Sequence, residues 1–254
     1  NYITATILGF FLNDIDFDFN YIVKAPWLFL AIIIGVLFTG MFFLIAYSTR
    51  KAGIAVTSVS SKLSLVIPTT FSIIYDPADT FSLMKLAGIC LAVMAVVMLV
   101  WKKRTEKFEI KFVFLPVILF LGLGMVDSFV KYAQSDYIDD SNVSLFSTLL
   151  FFFAWFTALV AGFVTRFKFK QLISVKASFT GVILGIFNYG SIYFLLLALD
   201  SGKLAGSSVF GVNHMGVILA SVLVAILFFN EKLNWLNKAG ILISMIAIWL
   251  LVQV

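Results

Sequence analysis

Residues 26–51 read PWLFLAIIIGVLFTGMFFLIAYSTRK, and between Trp27 and Arg50 there is no charged side chain. A helix needs about 20 apolar residues to cross the hydrocarbon core of a bilayer, so residues 26–49 predict a membrane span that stops at the basic pair Arg50-Lys51. Seven further stretches repeat the pattern: 52–75, 81–101, 112–134, 143–167, 177–199, 203–229 and 235–254. The opening run from Asn1 to Leu12 is too short to span and reads as the end of a helix. No signal-peptide pattern precedes it, and the expectation is that one further helix lies upstream.

Composition agrees with this reading. Of 254 residues, 62% are hydrophobic and 12% charged, with 29 Phe. Soluble domains carry about twice that share of charge, and the apolar surplus has to face lipid. The formal charge of +5 does not point to nucleic acid, because the bases sit in short loops and form no long patch. One Cys (Cys90) and one His (His214) exclude an internal disulfide and the common zinc motifs, and no cofactor is expected.

The loops alternate in charge. One set holds Asp14, Asp16 and Asp18, then Asp76 and Asp79, then Asp136, Asp139 and Asp140, then Asp200, with Lys24 as a base among them. The other holds Arg50 and Lys51, then Lys102, Lys103, Arg104, Lys107 and Lys111, then Arg166, Lys168, Lys170 and Lys176, then Lys232. The positive-inside rule makes the second set cytoplasmic, which places the C-terminus outside and the protein in the inner (plasma) membrane as a multi-pass chain. Trp27, Trp101 and Trp235 fall at span ends, where an interfacial position is expected.

A weak repeat runs at a spacing of about 150 residues. Gly35 and Gly40 match Gly185 and Gly190, and Ser58-Val59 matches Ser208-Val209. Two residues further out, Ala87-Gly88-Ile89 matches Ala239-Gly240-Ile241, and Ala95 matches Ala247. Asp79 and Glu231 each stand just before the last helix of their copy. Matched helices lie an odd number of spans apart, so the two copies have opposite orientations in the membrane, as in many secondary transporters. The halves are residues 1–104 and 105–254.

Charged and polar residues within spans are costly and mark candidate sites. Lys62 is near the middle of its span and shares a helical face with Ser58, Ser61 and Leu65, with Ser64 and Pro68 close by. It reads either as a snorkelling or paired Lys, or as a cationic site for a carboxylate, a phosphate or a coupling proton. His214 occupies the matching helix, opposite Lys62 or Ser64 depending on where the gap falls. Ser207, Gly211, His214 and Ser221 form a stripe that is a packing seam, a site, or both, and Asn213 adjoins it. Asp127, Lys131 and Gln134 form a row that reads either as an intrahelical Asp127–Lys131 pair whose Lys reaches the outer interface, or as part of a site, with Asp127 the deeper of the two. Asn188, Tyr189 and Tyr193 bring hydrogen-bonding groups to the 177–199 span. Asp76, Asp79 and the Asp136–Asp140 cluster read as solvated outer loops.

The sequence resembles the ten-helix, EamA-like branch of the drug/metabolite transporter superfamily. The resemblance rests on Gly185-Ile-Phe-Asn188-Tyr-Gly190, Ala198-Leu199 with Gly202 to Ser208, Phe228-Phe-Asn-Glu231-Lys-Leu, and Ala239-Gly240-Ile241. Thr57-Ser58 through Pro68 and Leu86-Ala-Gly88-Ile89 are the weaker counterparts in the first half. It implies an all-α integral membrane bundle of two inverted five-helix repeats, of which this chain holds helices two (partial) to five and six to ten. It also implies a central cavity and alternating access without ATP. Family members are usually drawn with cytoplasmic termini, whereas the charge bias of this chain argues for external ones.

The expected function is transport of a small metabolite, anionic or zwitterionic such as an amino acid, with the lipid bilayer and that substrate as partners. Its expected lining is Lys62, Ser58, Ser61, Asp127, Asn188, Tyr189, Asn213 and His214. The rival is an integral-membrane enzyme acting on a lipid-linked substrate, with the outer Asp clusters as its only acidic candidates.

Overall fold

A computed structural model describes residues 1–12, 19–51, 54–100, 114–139, 141–164, 175–229 and 234–253. Among them the chain is helical, without strands. The helices are α1 (Tyr2–Leu12), α2 (Phe19–Lys24), α3 (Leu28–Lys51), α4 (Ile54–Leu63), α5 (Val66–Tyr75) and α6 (Leu83–Val100). They continue with α7 (Phe114–Tyr137), α8 (Val143–Val164), α9 (Val175–Asp200), α10 (Gly206–Phe229) and α11 (Trp235–Val252). Five of these, α3, α7, α8, α9 and α11, are long and apolar enough to cross a membrane. Large apolar side chains stand open along them, including Phe29, Phe187 and Phe194, each about two-thirds exposed or more. Apolar surface of that extent is at home in lipid.

The expected 52–75 span is two helices rather than one. Pro68 has no N–H to give the carbonyl of Ser64, which accepts from the Ile67 amide at 3.0 Å instead. The Leu65 amide likewise reaches only the Lys62 carbonyl, at 3.4 Å, so the backbone tightens at Ser64–Leu65 and restarts as α5. The short helix α2 also lies outside the expected spans.

The described residues gather into two compact units: Asn1–Gly40 with Tyr132–Ser201, and Met41–Lys131 with Gly202–Val254. Each unit draws on both sequence halves, whose boundary at residues 104 and 105 lies outside the described residues.

In the first unit α1 packs on α8 and α9, and close backbone approach sets the geometry. A side chain at Gly35 would meet the Leu150 carbonyl at 2.8 Å and the Ala154 amide at 2.9 Å. Gly185 faces the Asn1 carbonyl as closely. Their expected companions Gly40 and Gly190 meet no such backbone. Thr39 Oγ1 donates to the Ala154 carbonyl at 2.7 Å, and Phe151 lies among Tyr2, Phe38 and Tyr189. Trp27 is buried edge-on against Phe146 at the start of α3, whereas Trp235 at the start of α11 is exposed; Trp101 lies outside the described residues.

In the second unit α6 packs along α11, and α5 along α10. Gly88 of α6 faces Leu251, while the Met98 carbonyl accepts from Asn237 Nδ2 at 3.1 Å, so α6 and α11 run antiparallel. Asn234 and Asn237 form a reciprocal capping box that starts α11. The core joins Leu65, Ala92, Ala95, Val96, Met215, Ile218 and Ala247, all buried. Ala95 and Ala247, paired in the sequence repeat, both belong to it.

Candidate functional site

Three helices of the second unit bring titratable groups together away from their ends. His214 of α10 lies 3.2 Å, Nε2 to Oδ2, from Asp127 of α7. Lys62, in the last turn of α4, stands where the charge of Asp127 acts on it. At 1.5 Å per residue, Lys62 is about 12 Å along α4 from its start and His214 about 12 Å along α10, while Asp127 is about 15 Å from the end of α7. On the expected spans these positions fall toward the middle of a core about 30 Å thick. All three side chains are half-buried.

Local structure explains the placement of each. The helix break at Ser64–Leu65 leaves Lys62 beside a disturbed backbone, with Ser61 Oγ donating to the Thr57 carbonyl and Ser64 Oγ to the Ser61 carbonyl. His214 stands one turn beyond the packed positions of α10, where Ser207 binds Asp79 and Gly211 lies against Leu251. The stripe on α10 is therefore a packing seam at Ser207 and Gly211. Ser58, Ser61 and Asn213 are half-buried in the same unit. Asn188 and Tyr189 belong to the first unit, where buried Tyr189 stacks on Tyr193 with ring centroids 5.8 Å apart and its hydroxyl lies 3.3 Å from Ser144 Oγ.

Two expectations are corrected. Lys131 does not pair with Asp127; it is buried, and its Nζ reaches Asp76 at 2.8 Å. Asp127 Oδ2 lies instead 3.2 Å from Nε2 of His214 on α10, a partner that spacing along α7 does not report. Asp79 is not a solvated loop residue either: its side chain is 1% exposed and pairs with Lys85 Nζ at 2.6 Å. It also accepts from Ser72 Oγ at 2.6 Å and from the Ser207 amide and hydroxyl at 2.6 and 2.7 Å. Burial alone would raise the Asp79 carboxyl, but the donors from Lys85, Ser72 and Ser207 outweigh it and hold it below the usual carboxylate range. Asp79 thus serves as a cap for the first turn of α10 supplied from another segment. Lys85 was the overlooked signal, a cation inside a span at its acidic end.

The loop residues Asp14, Asp16, Asp18, Asp140, Glu231 and Lys232, and the basic clusters at residues 102–111 and 166–170, lie outside the described residues.

No known family's sequence model matches this chain. It is similar to a protein of Haemophilus influenzae (strain ATCC 51907 / DSM 11121 / KW20 / Rd) described only as uncharacterized, with 27% identity over 259 residues, covering 99% of this chain and 86% of the relative. It also shares its fold with a protein of known crystal structure, at a TM-score of 0.74 and 13% identity over 98% of this chain and 83% of that one. These likenesses give the fold a precedent and leave the chemistry to the residues.

Proposed function

We propose that this chain is a multi-pass carrier of the inner membrane, moving a small anionic or zwitterionic metabolite by alternating access, as its resemblance to the drug/metabolite transporter superfamily implies. The observation that carries the reading is the 3.2 Å contact of His214 with Asp127 between two helices, with Lys62 within reach of the Asp127 charge. Ionisable groups at such depth are expensive and persist where they serve a substrate or ion. The broken α4–α5 helix supports the same reading, since carriers build sites at discontinuous helices. So does the antiparallel packing of α6 on α11, because those are the helices that the sequence repeat pairs and an inverted repeat requires opposite directions. Lys62, which makes no hydrogen bond among the described residues, is the partner for a substrate carboxylate.

The rival enzyme reading needs acidic groups gathered at one membrane face. Asp76 and Asp79 are instead engaged by Lys131 and Lys85, which removes two of its candidates.

The test is uptake by proteoliposomes of a panel of radiolabelled amino acids and organic acids. One or more should accumulate with the wild-type chain, with Lys62→Ala reducing uptake at least tenfold and Lys62→Arg retaining part of it. Wild-type uptake by Lys62→Ala would remove Lys62 from the mechanism, and absence of uptake across a broad panel would sink the carrier reading.

A further inference from the structure

We propose that binding of an anion at Lys62 is accompanied by uptake of one proton on His214, which makes the carrier an electroneutral anion–proton symporter. The inference rests on the carrier reading above.

It follows from the charge balance inside the second unit. The buried cations Lys131 and Lys85 are matched by Asp76, at 2.8 Å, and Asp79, at 2.6 Å. Of the helices packed against α10, α5 carries no Asp, Glu, Lys, Arg or His, α6 carries only Lys85, and α11 only Lys238 in its first turn. These helices also carry Tyr75 of α5 and Cys90 of α6; among the described residues the charged group at bonding distance of His214 is Asp127 of α7, with Lys62 of α4 within reach of the Asp127 charge. With a neutral imidazole the three sum to zero: one ammonium, one carboxylate and one uncharged ring.

A substrate carboxylate on Lys62 changes that sum to minus one, and an uncompensated charge at this depth is costly. His214 is the group equipped to restore zero. An ionised carboxylate only accepts hydrogen bonds, so the contact from Asp127 Oδ2 fixes the proton of the neutral ring on Nε2. Nδ1 is then the acceptor for an incoming proton from water. The step breaks no covalent bond in the protein: one proton passes from solvent to Nδ1, and the existing Nε2–H···Oδ2 bond, already charge-assisted on the carboxylate side, becomes an ion pair.

The test is titration calorimetry of the purified full chain in HEPES and in Tris at the same pH, since the two buffers differ in ionisation heat and neither is a small carboxylate or phosphate. L-lactate, L-malate, L-aspartate and L-alanine are titrated one at a time. The expected result is a binding heat that differs between buffers by the amount of one proton taken up per bound monoanion. His214→Gln should bind at least tenfold more weakly with identical heats in both buffers. Asp127→Asn, which starts from a net charge of plus one, should bind more tightly and take up no proton. A thermal melt of each variant separates loss of fold from loss of linkage, and either variant alone carries the comparison. Wild-type heats that do not depend on buffer, or proton uptake that survives in His214→Gln, overturn the inference while leaving the carrier reading in place. Failure of all four probes to bind overturns the anion assignment and the inference with it, and the broader uptake panel then decides the carrier reading separately.

Discussion

Asp79 shows how much one side chain contributes at the residue scale. Its carboxylate accepts from Lys85, Ser72 and both donors of Ser207 while almost wholly buried. Removing one member of such a pair leaves an uncompensated buried charge, a loss of about 3–5 kcal/mol. Lys85→Met should therefore lower the melting temperature of the detergent-solubilised protein sharply, and Asp79→Asn should lower it as well. The double variant Asp79→Leu/Lys85→Met should recover most of the loss; if it melts as low as the single variants, the pair is not what holds this end of the unit. The sign of the pH effect follows from the lowered carboxyl of Asp79. Its contribution is fully present above the ordinary Asp value of about 3.9 and is lost as pH falls below it toward the folded value. A melting series from pH 7 to pH 3 should show this acid loss in the wild type, and less of it in the double variant.

At the scale of the element, close approach and interruption are the two devices that matter. Gly35 lets α3 lie directly on the backbone of α8, whereas Gly40 has open space around it. Gly35→Ala should cost about 1–3 kcal/mol through forced separation, and Gly40→Ala should be close to neutral, both read by thermal melting. Equal effects would mean that the α3–α8 contact is not set by Gly35. The interruption at Ser64–Leu65 depends on Pro68, which sits in the first turn of α5, where a missing N–H costs little. Pro68→Ala returns a donor for the Ser64 carbonyl and lets α4 and α5 merge. The expected outcome is an unchanged or higher melting temperature together with reduced uptake; unimpaired uptake would show that the broken helix plays no part in transport.

For the whole molecule, the alternation of acidic and basic loops predicts which side each connection occupies. Fusion of green fluorescent protein to the C-terminus should give non-fluorescent cells, and alkaline phosphatase at the same point should be active, because the terminus is expected outside. A bright fluorescent fusion would reverse the orientation.

Eight full spans were expected and five of the described helices are long and apolar enough to cross; the placement of those five was legible in the sequence because lipid imposes a one-dimensional requirement. Each crossing needs its own uninterrupted apolar length with charges at its ends, and α3, α7, α8, α9 and α11 begin and end within a few residues of the expected runs. The choice of Lys62, Asp127 and His214 as candidates followed from the same counting. Partnership did not. Periodicity along one helix favoured Asp127 with Lys131, and composition assigned Asp79 to water, yet facing helices brought His214 to the first and Lys85 with Ser207 to the second. An ion pair is decided by distance in three dimensions, and no spacing within a single helix reports which side chain arrives from the next one. Sequence alone thus determined an apolar, helical, membrane-spanning chain with ionisable groups at depth, and only the tertiary structure decided which of those charges are balanced and which are left to act.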